Sequence, residues 1–220
     1  MRTIQMIATA AVLAVTASTP AVDAEQAAVR AAAPIRIVAL GDSLTSGHRL
    51  PRAEAYPALL EAALKEEGVS AVVVNRGVSG DTTSGGVRRL PAALDDRPDV
   101  LVVALGVNDG LRGVPVAQVR RNLETIIEAA QARGVTVLLC AMEALPVYGW
   151  QYTVDFHNMY TALADRYKVP LVPFLLMGVL GDPDLMSPDG LHPNAAGARA
   201  MASNILSYLR PLVTPAATTR

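Results

Sequence analysis

The chain has 220 residues, half of them apolar, with 19 Lys and Arg against 20 Asp and Glu and a net charge of −1. That length and apolar content fit one globular domain with a single sizeable core and exclude a largely disordered chain. The near-zero charge balance gives a polyanion nothing to bind, so nucleic acid is excluded as a partner.

Residues 1–24 hold one basic residue, Arg2, then an apolar run from Met6 to Val15, and end in the small-x-small pattern Val22-Asp23-Ala24. This predicts a secretory leader cut after Ala24, with a second possible cut after Ala33, and a periplasmic or extracellular product. Residues 25–33 read as a short Ala-rich linker, 34–213 as the domain and 214–220 as a tail. The leader takes with it one charge of each sign, Arg2 and Asp23, so the net charge is unchanged. The longest later apolar run, 171–180, contains Pro173 and Gly178 and is about half the length that spans a bilayer, so no stable membrane span is expected. The single cysteine, Cys140, rules out an internal disulfide and reads as a small core hydrophobe.

After the linker, short apolar runs alternate with longer amphipathic ones. Strands are predicted at 35–40, 71–75, 100–105, 135–141 and 171–172, and helices near 56–67, 84–93, 116–133, 152–167 and 194–209, with Pro193 in the first turn of the last helix. Strands without polar alternation are covered on both faces. The expected fold is therefore α/β, a three-layer α/β/α sandwich around a central parallel, flavodoxin-like five-stranded sheet. Ligands of such sheets sit beyond the carboxyl ends of the strands.

Four chemistry-bearing segments fall at that edge. Ser43 follows the first strand, Gly77-Val78-Ser79-Gly80-Asp81 the second and Gly106-Val107-Asn108-Asp109-Gly110 the third, while Asp189-Gly190-Leu191-His192-Pro193 precedes the last helix. Taken alone, Ser43 is a helix N-cap, Gly80 a turn glycine and Asn108 an Asx-turn. Taken together they supply what acyl transfer needs: a hydroxyl nucleophile, a base, an acid to orient it and donors for an oxyanion. Of the three histidines only His192 has an aspartate three residues away. His48 and His157 read as solvated surface residues. Asp42, Asp81 and Asp109 read as loop braces that accept backbone amides.

Four blocks in order, Gly41-Asp42-Ser43-Leu44, Ser79-Gly80-Asp81-Thr82, Gly106-Val107-Asn108-Asp109-Gly110 and Asp189-Gly190-Leu191-His192-Pro193-Asn194, make the chain resemble the SGNH, or GDSL, hydrolases from about Pro34 to Val213. Within them it is most similar to the secreted arylesterase, lysophospholipase and acyl-thioesterase branch. The resemblance implies Ser43 as nucleophile, His192 as base, Asp189 as its orienter, and the Ser43 and Gly80 N–H groups with the Asn108 amide as oxyanion donors. It also implies that the loop Leu111-Arg112-Gly113-Val114 lines an acyl pocket, with Leu111 and Val114 as substrate contacts; His48-Arg49 is a local departure, where relatives often carry an aromatic residue or glycine, and His48 is the third expected substrate contact at that wall.

The α/β-hydrolase elbow G-x-S-x-G is not met, since Thr45 stands where its second glycine would be. Neither a P-loop nor H-E-x-x-H occurs, so no cofactor and no catalytic metal are expected. The expected substrate is a small acyl ester or lipid, hydrolysed through an acyl-enzyme. Two rival readings are a carbohydrate O-deacetylase of the same fold and a non-catalytic α/β binding domain.

Overall fold

The computed structural model describes residues 33–214; the expected leader, the linker up to residue 32 and the tail from 215 lie outside the described residues. Five strands, β1 (Ile35–Gly41), β2 (Ala71–Gly77), β3 (Val100–Ala104), β4 (Thr136–Cys140) and β5 (Leu171–Val172), form one sheet. Its order is β2-β1-β3-β4-β5 and every pairing is parallel. The helices are α1 (Ser43–Ser46), α2 (Tyr56–Glu66), α3 (Thr83–Asp95), α4 (Val107–Leu111), α5 (Val116–Gln131), α6 (Trp150–Tyr167) and α7 (Ala195–Val213). Helix α3 packs on α5 and α5 on α6, while α2 packs on α7. Right-handed crossovers put these two groups on opposite faces of the sheet, which gives the expected α/β/α sandwich.

Every residue of β3 is buried, as is β1 from Ile37 onward, because helices cover both faces there. Strand β2, with a similar Val-rich start, is only half-buried, and its Arg76 is exposed. It lies at the sheet edge, where one side has no neighbouring strand. It also runs two residues further than expected, to Gly77, because β1 continues to pair with it up to Gly41.

Three strands end level with one another, since Gly41 stands opposite Gly77 on one side and Ala104 on the other. The chain leaves β1 toward β2 on one side and β3 lies on the other, so this level is the switch point at which doubly wound sheets bind ligands. The last helix departs from expectation at its start. Asn194 is the N-cap, its Oδ1 accepting from the Ala196 and Gly197 N–H groups, and Pro193 stays outside the helix in an antiparallel bridge to Met186.

Candidate active site

The turn after β1 is built tightly. A Cβ on Gly41 would lie 1.9 Å from Thr45 Oγ1 and 2.8 Å from the Ala104 carbonyl, so only glycine lets the strand fold straight into α1. Asp42, not Ser43, caps that helix: its Oδ1 accepts from the Leu44 N–H at 2.9 Å. With capping done by its neighbour, the Ser43 hydroxyl is released to face outward from the sheet edge. Ser43 Oγ lies 3.0 Å from His192 Nε2, and His192 Nδ1 lies 2.9 Å from Asp189 Oδ2.

The loop carrying the histidine is held from both ends. Asp189 Oδ1 accepts the Leu191 and His192 N–H groups at 2.9 and 3.0 Å, and the His192 carbonyl accepts from the Ser187 N–H at 2.7 Å. The Asn194 side chain, besides capping α7, donates to the Asp184 carbonyl at 2.8 Å. These backbone donors, and after them the imidazole, hold the Asp189 carboxyl well below the ordinary carboxylate range, so it stays negative behind the ring.

Gly80 and Asn108 reach the same place from the other two strand ends. Gly80 has φ of 77°, a left-handed turn, and its carbonyl accepts from Arg112 Nη2 at 2.9 Å. Asn108 sits in the first turn of α4, with its Nδ2 2.9 Å from the Asp81 carbonyl and 3.3 Å from Asp42 Oδ2. The braces behave as expected. Buried Asp109 accepts from the Thr83 N–H and hydroxyl at 2.8 and 2.7 Å, and Asp81 accepts from its neighbour Thr82. Sequence reasoning missed the partner of Asp81: Arg89 pairs with its carboxylate while also donating to the Gly41 and Arg76 carbonyls, which clamps the ends of β1 and β2 together.

A cavity of about 460 Å³ opens beside Ser43, Gly80, Asn108 and His192. Its walls are mainly apolar, with Leu111, Leu145, Phe174, Leu180 and Leu191 among them. Leu111 and His48 both line it. Val114 does not; it packs against the core, and its carbonyl accepts from the Tyr152 hydroxyl at 2.9 Å. The 111–114 loop thus contributes only its first residue to the wall, and a second hydroxyl, that of Tyr148, ties Leu111 at 3.1 Å. His48 is not a solvated histidine either: it is half-buried, with its ring centroid 4.3 Å from that of His192. His157 does lie at the surface, with Nδ1 2.7 Å from Glu143.

Asp42 is fully buried, and desolvation outweighs the Leu44 N–H and the Asn108 amide to push its carboxyl up to about 7, with the nearby Asp81 and Asp109 charges adding to the rise. A folded value above the unfolded one near 3.8 means that the folded protein holds this proton after the unfolded chain has lost it. The contribution to stability is therefore complete below pH 4, declines as pH rises toward 7 and is flat beyond. Urea unfolding between pH 4 and 8 should show a decline on the order of 2 to 4 kcal/mol from this group. Asp42→Asn should flatten it; equal slopes in the two proteins would show that Asp42 does not titrate in this window.

A hydroxyl, an imidazole and a carboxylate in line at the switch point of a doubly wound sheet, beside an apolar cavity, form the side-chain set of a carboxylic ester hydrolase. Residues 39–200 match the GDSL-like Lipase/Acylhydrolase family, and the chain belongs to it. Over 183 residues it is 40% identical to "Esterase TesA" of Pseudomonas aeruginosa, covering 83% of this chain and 91% of that protein. It is 38% identical over 185 residues to "Thioesterase 1/protease 1/lysophospholipase L1" of Escherichia coli K12, covering 84% and 88% of the two. A solved structure entitled "Crystal Structure of TesA" superposes with a TM-score of 0.77 at 40% identity, over 80% of this chain and 99% of the other. The protein is a serine esterase of this family, and the expected fold and enzyme class are borne out. Among the described residues no helix is long and apolar enough to cross a membrane.

Proposed function

We propose that the esterase works through Ser43, His192 and Asp189 on esters and thioesters whose acyl chain enters the 460 Å³ cavity, aryl esters, lysophospholipids and acyl thioesters being the substrate classes. Neutral His192 takes the Ser43 proton through Nε2 as the hydroxyl attacks the carbonyl carbon. Asp189 keeps Nδ1–H in place and stabilises the imidazolium that forms. The oxyanion meets the Ser43 and Gly80 N–H groups and the Asn108 amide. The imidazolium then gives its proton to the departing alcohol or thiol, and water activated by the same ring hydrolyses the acyl-enzyme.

The observation that carries this reading is the 3.0 Å contact between Ser43 Oγ and His192 Nε2 at the mouth of an apolar cavity. A carbohydrate O-deacetylase would have little use for such walls, because its acyl group is two carbons long. Each methylene buried in the cavity is worth about 0.8 kcal/mol, so kcat/KM should rise by about fourfold per carbon until the space is filled. The test is a rate panel of p-nitrophenyl esters from acetyl to palmitoyl, with a lysophospholipid, an acyl-CoA and an acetylated sugar beside them. It is best run on the exported protein, whose N-terminus by sequencing is expected at Glu25. A fluorophosphonate should label the protein at Ser43, as read by peptide mass. Preference for the acetylated sugar would transfer the assignment to the deacetylase, and absence of labelling with no turnover would leave a binding domain.

A further inference from the structure

The hydrolytic scheme leaves His48 without a task, yet its surroundings are specific. Its N–H donates to the Ser43 carbonyl at 3.1 Å, so the turn that carries it is the turn that carries the nucleophile. Its ring lies against that of His192 at an interplanar angle of 38°. One ligand atom each from His48, Asp189 and His192 can be chosen so that all lie within 4.8 Å of one another. No other group of three or more His, Cys, Asp or Glu side chains among the described residues comes together in this way.

We propose that His48, His192 and Asp189 form an inhibitory binding site for a divalent transition metal of the zinc class, with His48 as the residue that converts the hydrolytic pair into a chelate. The inhibition, though not the binding, rests on the reading of His192 as the base. Two imidazoles and one carboxylate suit Zn²⁺, Cu²⁺ or Ni²⁺ and do not suit Mg²⁺ or Ca²⁺, which prefer oxygen. Tetrahedral zinc with ligands near 2.1 Å sets them about 3.4 Å apart, so the widest pair needs to close by about 1.4 Å. Asp189 is exposed, and its negative charge offsets half that of the ion.

A metal on either nitrogen of His192 stops the reaction. On Nε2 it occupies the lone pair that must accept the Ser43 proton. On Nδ1 it comes between the ring and Asp189, takes the carboxylate as its own ligand and leaves Nε2 carrying hydrogen, so that this nitrogen can donate to Ser43 but cannot take its proton. The other exposed pair, His157 and Glu143, offers two donors and also borders the cavity through Glu143, which makes it the natural control.

The experiment has two arms that fail separately. Zinc chloride is titrated against a chromogenic chelator in the presence of Ser43→Ala protein, which keeps all three ligands and needs no turnover. One zinc per chain is expected, with Cu²⁺ tighter and millimolar Mg²⁺ without effect. Ester hydrolysis is then titrated with zinc in the unsubstituted protein, His48→Phe, His48→Gln and His157→Ala, each compared with its own metal-free rate. Inhibition reversed by EDTA is expected in the unsubstituted protein and in His157→Ala. At least a tenfold higher zinc requirement is expected in both His48 variants, the phenylalanine keeping a ring against His192 and the glutamine a polar group. Failure to bind zinc, an unchanged requirement in the His48 variants, or relief by His157→Ala would overturn the site and leave His192 as base untouched. Binding at full stoichiometry with undiminished turnover would overturn the inhibition together with the assignment of His192.

Discussion

Ser43→Ala is expected to lower kcat by on the order of 10⁴-fold or more, and His192→Ala by about as much, because a triad loses most of its power when any working member is removed. The double variant should be little worse than either single one, since nucleophile and base act as a unit. What remains above the uncatalysed rate would come from Gly80, Asn108 and the apolar cavity, which both substitutions leave in place. The serine change is well suited to the test because it asks little of the fold. Ser43 is 8% exposed and its hydroxyl contacts His192 alone, whereas the helix that starts there is capped by Asp42. Loss of one such contact costs about 1 kcal/mol, so the variant should unfold cooperatively at nearly the same urea concentration. Steady-state hydrolysis of a p-nitrophenyl ester and fluorophosphonate labelling measure the two effects. Near-normal turnover in purified, folded Ser43→Ala protein would falsify the assignment of the nucleophile.

The sheet was legible wherever an apolar run lay between turn residues. Strands β1, β3, β4 and β5 lie within a residue or so of their expected bounds because helices cover them and no polar alternation blurs the pattern. Helices α1 and α4 are absent from the expected elements, since four and five residues are too few to display a 3.6-residue period. The start of α7 was misplaced because Pro193 satisfies the rule for a first-turn proline, yet Asn194 offers a side-chain acceptor for two amides and takes the cap. At the site, residue types announced themselves and distances did not. Ser43 and His192 are 149 residues apart in the chain, and only the level ends of β1, β2 and β3, with α7 folding back, bring them to 3.0 Å. Arg89 reaches the Gly41 carbonyl across 48 residues, and Arg112 reaches Gly80 across 32; no local pattern encodes either. His48 was read as surface because a polar residue in a turn ordinarily is, and its burial depends on a ring brought in from the far end of the chain.

Asn108→Ala should cost about 10²- to 10³-fold in kcat, or roughly 2.7 to 4 kcal/mol of transition-state stabilisation, the loss typical of one oxyanion donor. The geometry explains how an amide already engaged can serve. Its bond to the Asp81 carbonyl at 2.9 Å fixes the side chain, while the 3.3 Å contact with Asp42 Oδ2 is long enough to leave that hydrogen free for a stronger acceptor. A tetrahedral oxyanion is such an acceptor and a ground-state ester carbonyl is a weak one, so the loss should fall on kcat with KM nearly unchanged. A purely structural role would behave differently. Removing the brace would loosen the Asp81 and Asp42 turns together, and KM, the urea midpoint and the reactivity of Ser43 toward a fluorophosphonate would all shift. Asn108→Ala protein that unfolds normally and turns over within about threefold of the unsubstituted enzyme would remove Asn108 from the oxyanion site and leave the two backbone N–H groups to do its work.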